Sequence, residues 1–143
     1  MKQDRYNLNR FIEAQDKIYS KVLKELQEGL KRSHWMWYIF PQFKHLGYSY
    51  NAKFYGISCK DEATKYLSNP ILAQRLKEVT EIILNLPTNN AVEVFGDIDS
   101  LKLCSSMTLF DFISQNDVFA RVIEKYFNGH KDNRTLTILS SYE

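Results

Sequence analysis

The stretch NLNRFIEAQDKIYSKVLKELQEG, from Asn7 to Gly29, carries the clearest structural signal in the chain. Leu8, Phe11, Ile12, Ile18, Tyr19, Val22, Leu23 and Leu26 recur at three- and four-residue steps, which places them along one face of an α-helix. The spacing predicts a helix from Leu8 to Glu28. Asn7 is its expected N-cap, and Gly29 stands just past its end, where a left-handed residue commonly closes a helix. Such a helix draws most of its stability from packing its apolar face against something else. The rest of the chain has to supply that partner.

Downstream, the same period returns between its own start and stop signals. Ser58-Cys59-Lys60-Asp61 resembles a capping box, with Asp in place of the usual Glu or Gln, and predicts a helix through Leu67. Ser68-Asn69-Pro70 ends that helix and begins another, with Pro70 at its first position. Ile71, Leu72, Leu76, Val79, Ile82, Ile83 and Leu86 form the stripe of this second helix. Asn90 to Phe95 reads as a short helix closed by Gly96. Asp99 or Ser100 then opens a longer one through Ile113, with Leu101, Cys104, Thr108 and Phe112 among its inward candidates. Asp117 caps a helix ending at Asn128-Gly129, and Asp132 caps a last short one around Thr135 to Ser140.

Between the first helix and this series lie two less regular stretches. Residues 33–41, SHWMWYIFP, are too compact for periodicity to separate a buried strand from a short buried helix. We read them as a short helix opened by Ser33 and closed by Pro41, which disfavours α geometry in Phe40. Gly47 through Gly56 reads as a loop holding one helical turn, with Ser49 capping Tyr50 to Tyr55. There is no internal repeat and no linker. The expected fold is all-α: one domain over residues 1–143 with about seven or eight helices, several of them short.

Composition bounds what this domain can be. At 143 residues, a chain buries roughly 68–70% of its unfolded surface and needs neither disulfide nor metal to hold a core. Nine Tyr, nine Phe and two Trp bring rings whose OH and NH groups need polar partners when buried. The net charge of +2 argues against a general nucleic-acid binder. Residues 1–53 hold ten Lys/Arg against five Asp/Glu, and residues 54–143 hold nine against twelve. Sequence halves need not be faces, so this asymmetry reads first as complementarity within one domain. Cys59 and Cys104 form no metal-type pair, and His34, His45 and His130 lack ligand spacing, so no metal and no cofactor are expected. No signal-type apolar segment follows Met1, and the longest apolar run, Trp35 to Pro41, is far short of a membrane span. A cytoplasmic protein without membrane contact is the expectation.

The densest candidate chemistry is Lys31 to Gln42. Lys31, Arg32, Ser33, His34 and Gln42 surround the rings of Trp35 and Trp37. Cations, an imidazole and an amide beside stacking surfaces are what a pocket for a planar anionic ligand needs. Trp35, Met36, Ile39 and Phe40 read more simply as core. His34 carries the side-chain type suited to acid–base work near neutral pH, which makes it the candidate catalytic residue. The second candidate group is Lys102, Ser105 and Ser106. Lys102 and Ser106 share a helix face, and the small hydroxyls suit either close helix packing or contacts to a phosphate or ribose. Asp132, Arg134 and Thr135 are explained by capping. The functional expectation is a domain binding a nucleotide-like or planar anionic ligand, with hydrolysis or transfer at that ligand as its chemistry. The alternative is a non-enzymatic helical interaction module using the aromatic loop of Tyr48, Tyr50, Phe54 and Tyr55. Oligomeric state cannot be read from these residues.

The twelve residues KRSHWMWYIFPQ, Lys31 to Gln42, resemble the signature of a bacterial family known as domain of unknown function 1810, some of whose members carry the label calpastatin. Leu101-Lys102 followed by Ser105-Ser106-Met107-Thr108-Leu109-Phe110 is similar to its second signature. Leu8 to Gln15, Tyr66 to Pro70 and Asp132 to Leu136 also fit, so the resemblance spans nearly the whole chain. It implies a multi-helical fold in a right-angled array and no particular activity. The family places an Arg before the paired serines, where this chain has Cys104. If that Arg holds an anion, the resemblance implies that this chain holds it from another position or not at all.

Overall fold

Backbone N–H groups at the start of a helix have no partner within it, so side chains that accept from them set the boundaries. In the structure, a computed structural model that describes residues 3–142, several expected caps do this. Ser49 accepts from Ala52 N and opens α4, Tyr50–Phe54. Asn69 accepts from Ile71 N and Leu72 N at the head of α6, Pro70–Leu84. Asn90 accepts from Val92 N and opens α7, Ala91–Ile113. Asp117 and Asp132 do the same for α8, Val118–Phe127, and α9, Asn133–Ser140. At α5, Lys60–Ser68, the capping box is displaced by one residue. Glu62, not Asp61, reaches back, accepting from Ser58 N and Ser58 Oγ, both at 2.8 Å.

The first segment departs from its expected single helix. It is two, α1 over Asn9–Asp16 and α2 over Tyr19–Gln27, separated at Ile18 (φ −139°, ψ −1°). No Gly or Pro lies at the break, so its cause is tertiary. Gln15 is buried and donates to Tyr38 O and Tyr66 Oη, while the Tyr19 hydroxyl reaches Arg75 O and Glu78 on α6. Breaking the helix lets α1 lie on α3, Met36–Ile39, while α2 turns to run along α6. Nor is Asn7 the cap. It sits in the left-handed region at φ 54°, and Asp4 accepts from Leu8 N and Asn9 N instead. Gly29 is left-handed, as a residue closing a helix should be.

The core runs through all of these pieces. Phe11, Leu26, Trp35, Phe40, Tyr66, Leu76, Ile83, Met107, Phe110 and Phe119 are fully buried within one cluster. At its centre lies α7, packed between α5, α8 and α9. Ser105 through Asp111 are buried without interruption. A helix enclosed on several sides loses the one-sided pattern from which its register was read. Thr108 does face inward, but Leu101 is 65% exposed and Cys104 and Phe112 are half-buried. On α6, Ile71 likewise leaves the expected stripe and points to solvent. Among the described residues there is no strand, only an isolated parallel bridge between Phe43 and Ile57, and a 3-10 turn over Lys44–Leu46. Among the described residues, no helix is long and apolar enough to cross a membrane.

Candidate functional site

The Lys31-to-Gln42 segment is fixed by a residue outside it. Glu25 on α2 is buried and accepts four hydrogen bonds: from Arg32 N (2.8 Å), Ser33 N (3.0 Å), Ser33 Oγ (2.6 Å) and Trp35 Nε1 (3.0 Å). Burial alone would raise the pKa of this carboxyl. The Ser33 hydroxyl, the two backbone N–H groups and the indole outweigh burial and lower it from 4.5 to about 2. Ser33 is therefore a donor to Glu25 rather than the opener of α3, which begins after Trp35 with no side-chain cap.

One side of the segment is thus sealed, and the other is open. Lys31, His34, Met36 and Trp37 line a hollow of about 490 Å³ whose opposite wall is Phe95 to Asp99 together with Lys102. That wall is built by a break inside α7. Gly96 has φ 83° and ψ 172°, a conformation essentially reserved for glycine, and the long helix restarts immediately after it. N–H groups in a first helical turn have no intrahelical acceptor, and this first turn borders the hollow. Lys31 N donates to Val94 O at 2.8 Å and ties the two walls together.

Across the hollow, two ammonium groups meet one carboxylate. Lys31 Nζ is 2.8 Å from Asp99 Oδ2, and Lys102 Nζ is 3.3 Å from Asp99 Oδ1. The Lys31 side chain is only 6% exposed and also donates to Ser33 O at 2.5 Å. Each ammonium lies over an indole as well, Lys31 over Trp35 at 5.0 Å and Lys102 over Trp37 at 5.2 Å. Beside the hollow is a narrow crevice lined by Met36, Trp37, Gln42, Tyr55 and Lys102 among others.

The structure therefore gathers Lys31, His34, Trp37 and Lys102 around one space, with Gln42 adjoining it, although the two sequence segments are far apart in the chain. It does not gather the rest. Trp35 has no exposed surface, and its indole N–H is used by Glu25, so it offers a ligand neither face nor donor. Arg32 turns to the surface and pairs with Glu28 at 2.5 Å. Ser105 and Ser106 are buried within α7. Ser105 Oγ donates to Leu101 O, and Ser106 Oγ has no hydrogen-bond partner among the described residues. Position 104 does not face the hollow either. The Cys104 thiol lies 3.5 Å from His130 O, and its pKa is raised by burial and by the Asp132 carboxylate nearby. Cys59 and Cys104 are both free thiols. No group of three or more His, Cys, Asp or Glu among the described residues is placed to hold a metal ion.

Glu25, Gly96 and Asp99 are the contributors that sequence reasoning passed over. Gly96 was visible as a helix end, and Asp99 as an opener of the helix that follows. Their meeting with Lys31 was not, because that pairing exists only in three dimensions. For Glu25 there was no local signal beyond a charged residue on the apolar side of its helix.

Comparison with known proteins agrees with this architecture. The crystal structure of the conserved hypothetical protein Rv1873 from Mycobacterium tuberculosis superposes with a TM-score of 0.94 at 43% sequence identity, covering 96% of this chain and 99% of that one. No curated protein matches the chain. The profile of the family described as "Protein of unknown function (DUF1810)" matches residues 5–139. The chain belongs to that family.

Proposed function

We propose that the hollow between α3 and the restart of α7 binds a small anionic ligand that carries a planar group. The observation that carries this reading is the convergence of Lys31 and Lys102 on Asp99 beside the half-buried face of Trp37. Lys31 and Lys102 balance Asp97 and Asp99 in formal charge, and a guest anion meets the ammonium N–H donors that Asp99 and Ser33 O leave unused. A helix start adds free N–H donors and a favourable dipole end. Trp37 supplies a stacking wall, Met36, Phe95 and Ile98 an apolar floor, and His34 at the rim a polar contact. A nucleotide-like molecule combines the two features this lining matches. Any proton transfer during hydrolysis or group transfer on such a ligand is assigned to His34.

The test is thermal melting in the presence of inorganic phosphate, nucleoside monophosphates, nucleosides and sugar phosphates. A ligand at a hundred times its Kd stabilises by about 2.7 kcal/mol, which moves the melting temperature by several degrees. Phosphate-bearing ligands with a base are expected to raise it in the wild type and to lose most of that effect in Lys102→Ala and His34→Ala. A panel that leaves the wild type unmoved, or moves both variants equally, removes this site.

A further inference from the structure

A second surface of the molecule has a different composition. Between Glu28 and Asp61 the chain contains no Asp or Glu at all, while it holds Lys31, Arg32, Lys44, Lys53 and Lys60. The middle of this acid-free span is the loop around α4, and its rings are turned outward. Tyr48 is 91% exposed, Tyr50 77% and Phe54 41%. These rings continue inward as a connected row. Tyr50 stacks on Phe54 with an interplanar angle of 10° at 5.8 Å, Phe54 meets Tyr55 edge-on at 4.8 Å, and Tyr55 meets Tyr38 at 5.1 Å.

The row ends at a hollow of about 440 Å³ at the break between α1 and α2, lined by Tyr38, Tyr55, Ile18, Lys17 and Lys21. Lys17, Lys21 and Lys53 are exposed and in no ion pair among the described residues. The acid whose charge reaches the row is Glu13, which acts on Tyr55 and accepts from Asn9 Nδ2. The ridge is also held rigidly. Arg10, ion-paired with buried Glu62 at 2.8 Å, donates to Phe54 O at 2.7 Å and to Gly56 O at 3.1 Å, which pins the end of α4 to α1.

From this arrangement we infer that the ridge Tyr50–Phe54–Tyr55–Tyr38 with Lys17, Lys21 and Lys53 binds single-stranded nucleic acid, without sequence preference. The exposed rings of Tyr50 and Phe54 offer faces to unstacked bases, the half-buried rings of Tyr55 and Tyr38 continue the row inward, and unpaired lysines alongside meet phosphates. A duplex keeps its bases stacked and presents no face to the row. A lipid surface fits less well: α4 has five residues, and its outward side carries tyrosines rather than the long aliphatic groups that insert into acyl chains. The net charge of the chain supplies little general attraction to phosphates, so the assignment rests on the local grouping of Lys17, Lys21 and Lys53, beside which Glu13 is the acid whose charge reaches the row. The proposal is independent of whether the hollow near Trp37 holds a ligand.

Fluorescence anisotropy with labelled decamers of oligo(dT) and oligo(U) at low salt tests it, with a duplex of the same length alongside. Single strands are expected to bind at micromolar concentration. Affinity should fall with salt on a logarithmic slope of about 2, as about three neutralised phosphates on a single strand require. Tyr50→Ala/Phe54→Ala, whose rings are exposed enough for the fold to survive their loss, should weaken binding about fivefold or more. Lys17→Ala/Lys21→Ala should flatten the salt slope, whereas Lys77→Ala, which removes a lysine paired with Asp117 away from the ridge, should change affinity less than twofold. Absence of binding at low salt, equal binding of duplex, or full binding by the ring variant overturns the proposal. So does co-sedimentation with phosphatidylserine vesicles in place of oligonucleotide binding, or light scattering that shows a dimer closed over these tyrosines.

Discussion

Trp35 and Trp37 are two residues apart in the same short segment and have opposite surroundings. Trp35 has no exposed surface, donates its indole N–H to a buried carboxylate and packs against Phe40 at 6.4 Å. Trp37 is half-buried, the Lys102 ammonium lies 5.2 Å from its ring centroid, and it borders both the hollow and the crevice beside it. A single turn of helix presents its residues in different directions, so one compact motif can brace the fold with one side and leave the other accessible. The difference between the two indoles separates what holds this protein together from what is free to act.

The sealed side should respond most strongly to mutation. Glu25→Ala leaves the N–H groups of Arg32, Ser33 and Trp35 without their acceptor, and each buried unsatisfied donor costs about 1–3 kcal/mol. Allowing for relaxation at the surface side, we expect a loss of about 3 kcal/mol or more in urea denaturation. A loss below about 1 kcal/mol would mean that the carboxylate is not the organiser of the segment. Acid offers a second reading of the same group. The folded pKa of Glu25 is depressed, so its contribution is fully present above the unfolded value of 4.5 and disappears as pH falls toward about 2. Glu25→Gln should therefore flatten the dependence of stability on pH between 4.5 and 2, and a variant with an unchanged acid slope would contradict the assignment.

The contrast also marks what could be read from the residues alone. Ser49, Asn69, Asp117 and Asp132 were legible as caps because a cap acts on backbone groups one to three residues away, within the reach of local sequence. The stripe of α6 was legible, apart from Ile71, because that helix has one wet face. The break at Ile18 was not, since Gln15 and Tyr19 are satisfied by residues more than twenty positions downstream. The cap by Asp4 was hidden by Asn7, a residue type equally suited to the role that instead adopts a left-handed turn. At the site, the sequence pointed to the open side of the segment through Lys31, His34, Trp37 and Lys102. It could not distinguish Trp35 from Trp37, because what makes them different is Glu25 on one side and Asp99 on the other.

Smaller effects belong to the open side. Gly96→Ala places a Cβ where nothing lies within 4 Å, so the new methyl meets no neighbour. Its whole cost is the backbone conformation at φ 83°, ψ 172°, about 1–3 kcal/mol. If the restart of α7 shapes the hollow, this variant should weaken ligand response along with stability, while a purely stabilising role would leave the response intact. Trp37→Phe is expected to cost no more than about 1 kcal/mol, since a half-buried ring is exchanged for a smaller one. It should nevertheless abolish any ligand-induced change in tryptophan fluorescence, because the remaining indole, Trp35, is enclosed. A fluorescence change that persists in Trp37→Phe would place the ligand elsewhere.

The smallest expected effect has the opposite sign. Ser106 lies one helical turn beyond Lys102, fully buried, and its hydroxyl has no hydrogen-bond partner among the described residues. Burying a hydroxyl without a partner is unfavourable, and Ala is the better helix former by a few tenths of a kcal/mol. Ser106→Ala should therefore leave stability unchanged or raise it by up to about 1 kcal/mol. Ser105→Ala breaks a hydrogen bond to Leu101 O at 3.2 Å and should be neutral to slightly destabilising. The neighbouring serines thus separate in sign, which a pair of urea titrations resolves. A clear loss from Ser106→Ala would mean that this hydroxyl has a polar partner toward the Lys102 side of the helix, and the paired serines would then return to the ligand site from which burial now removes them.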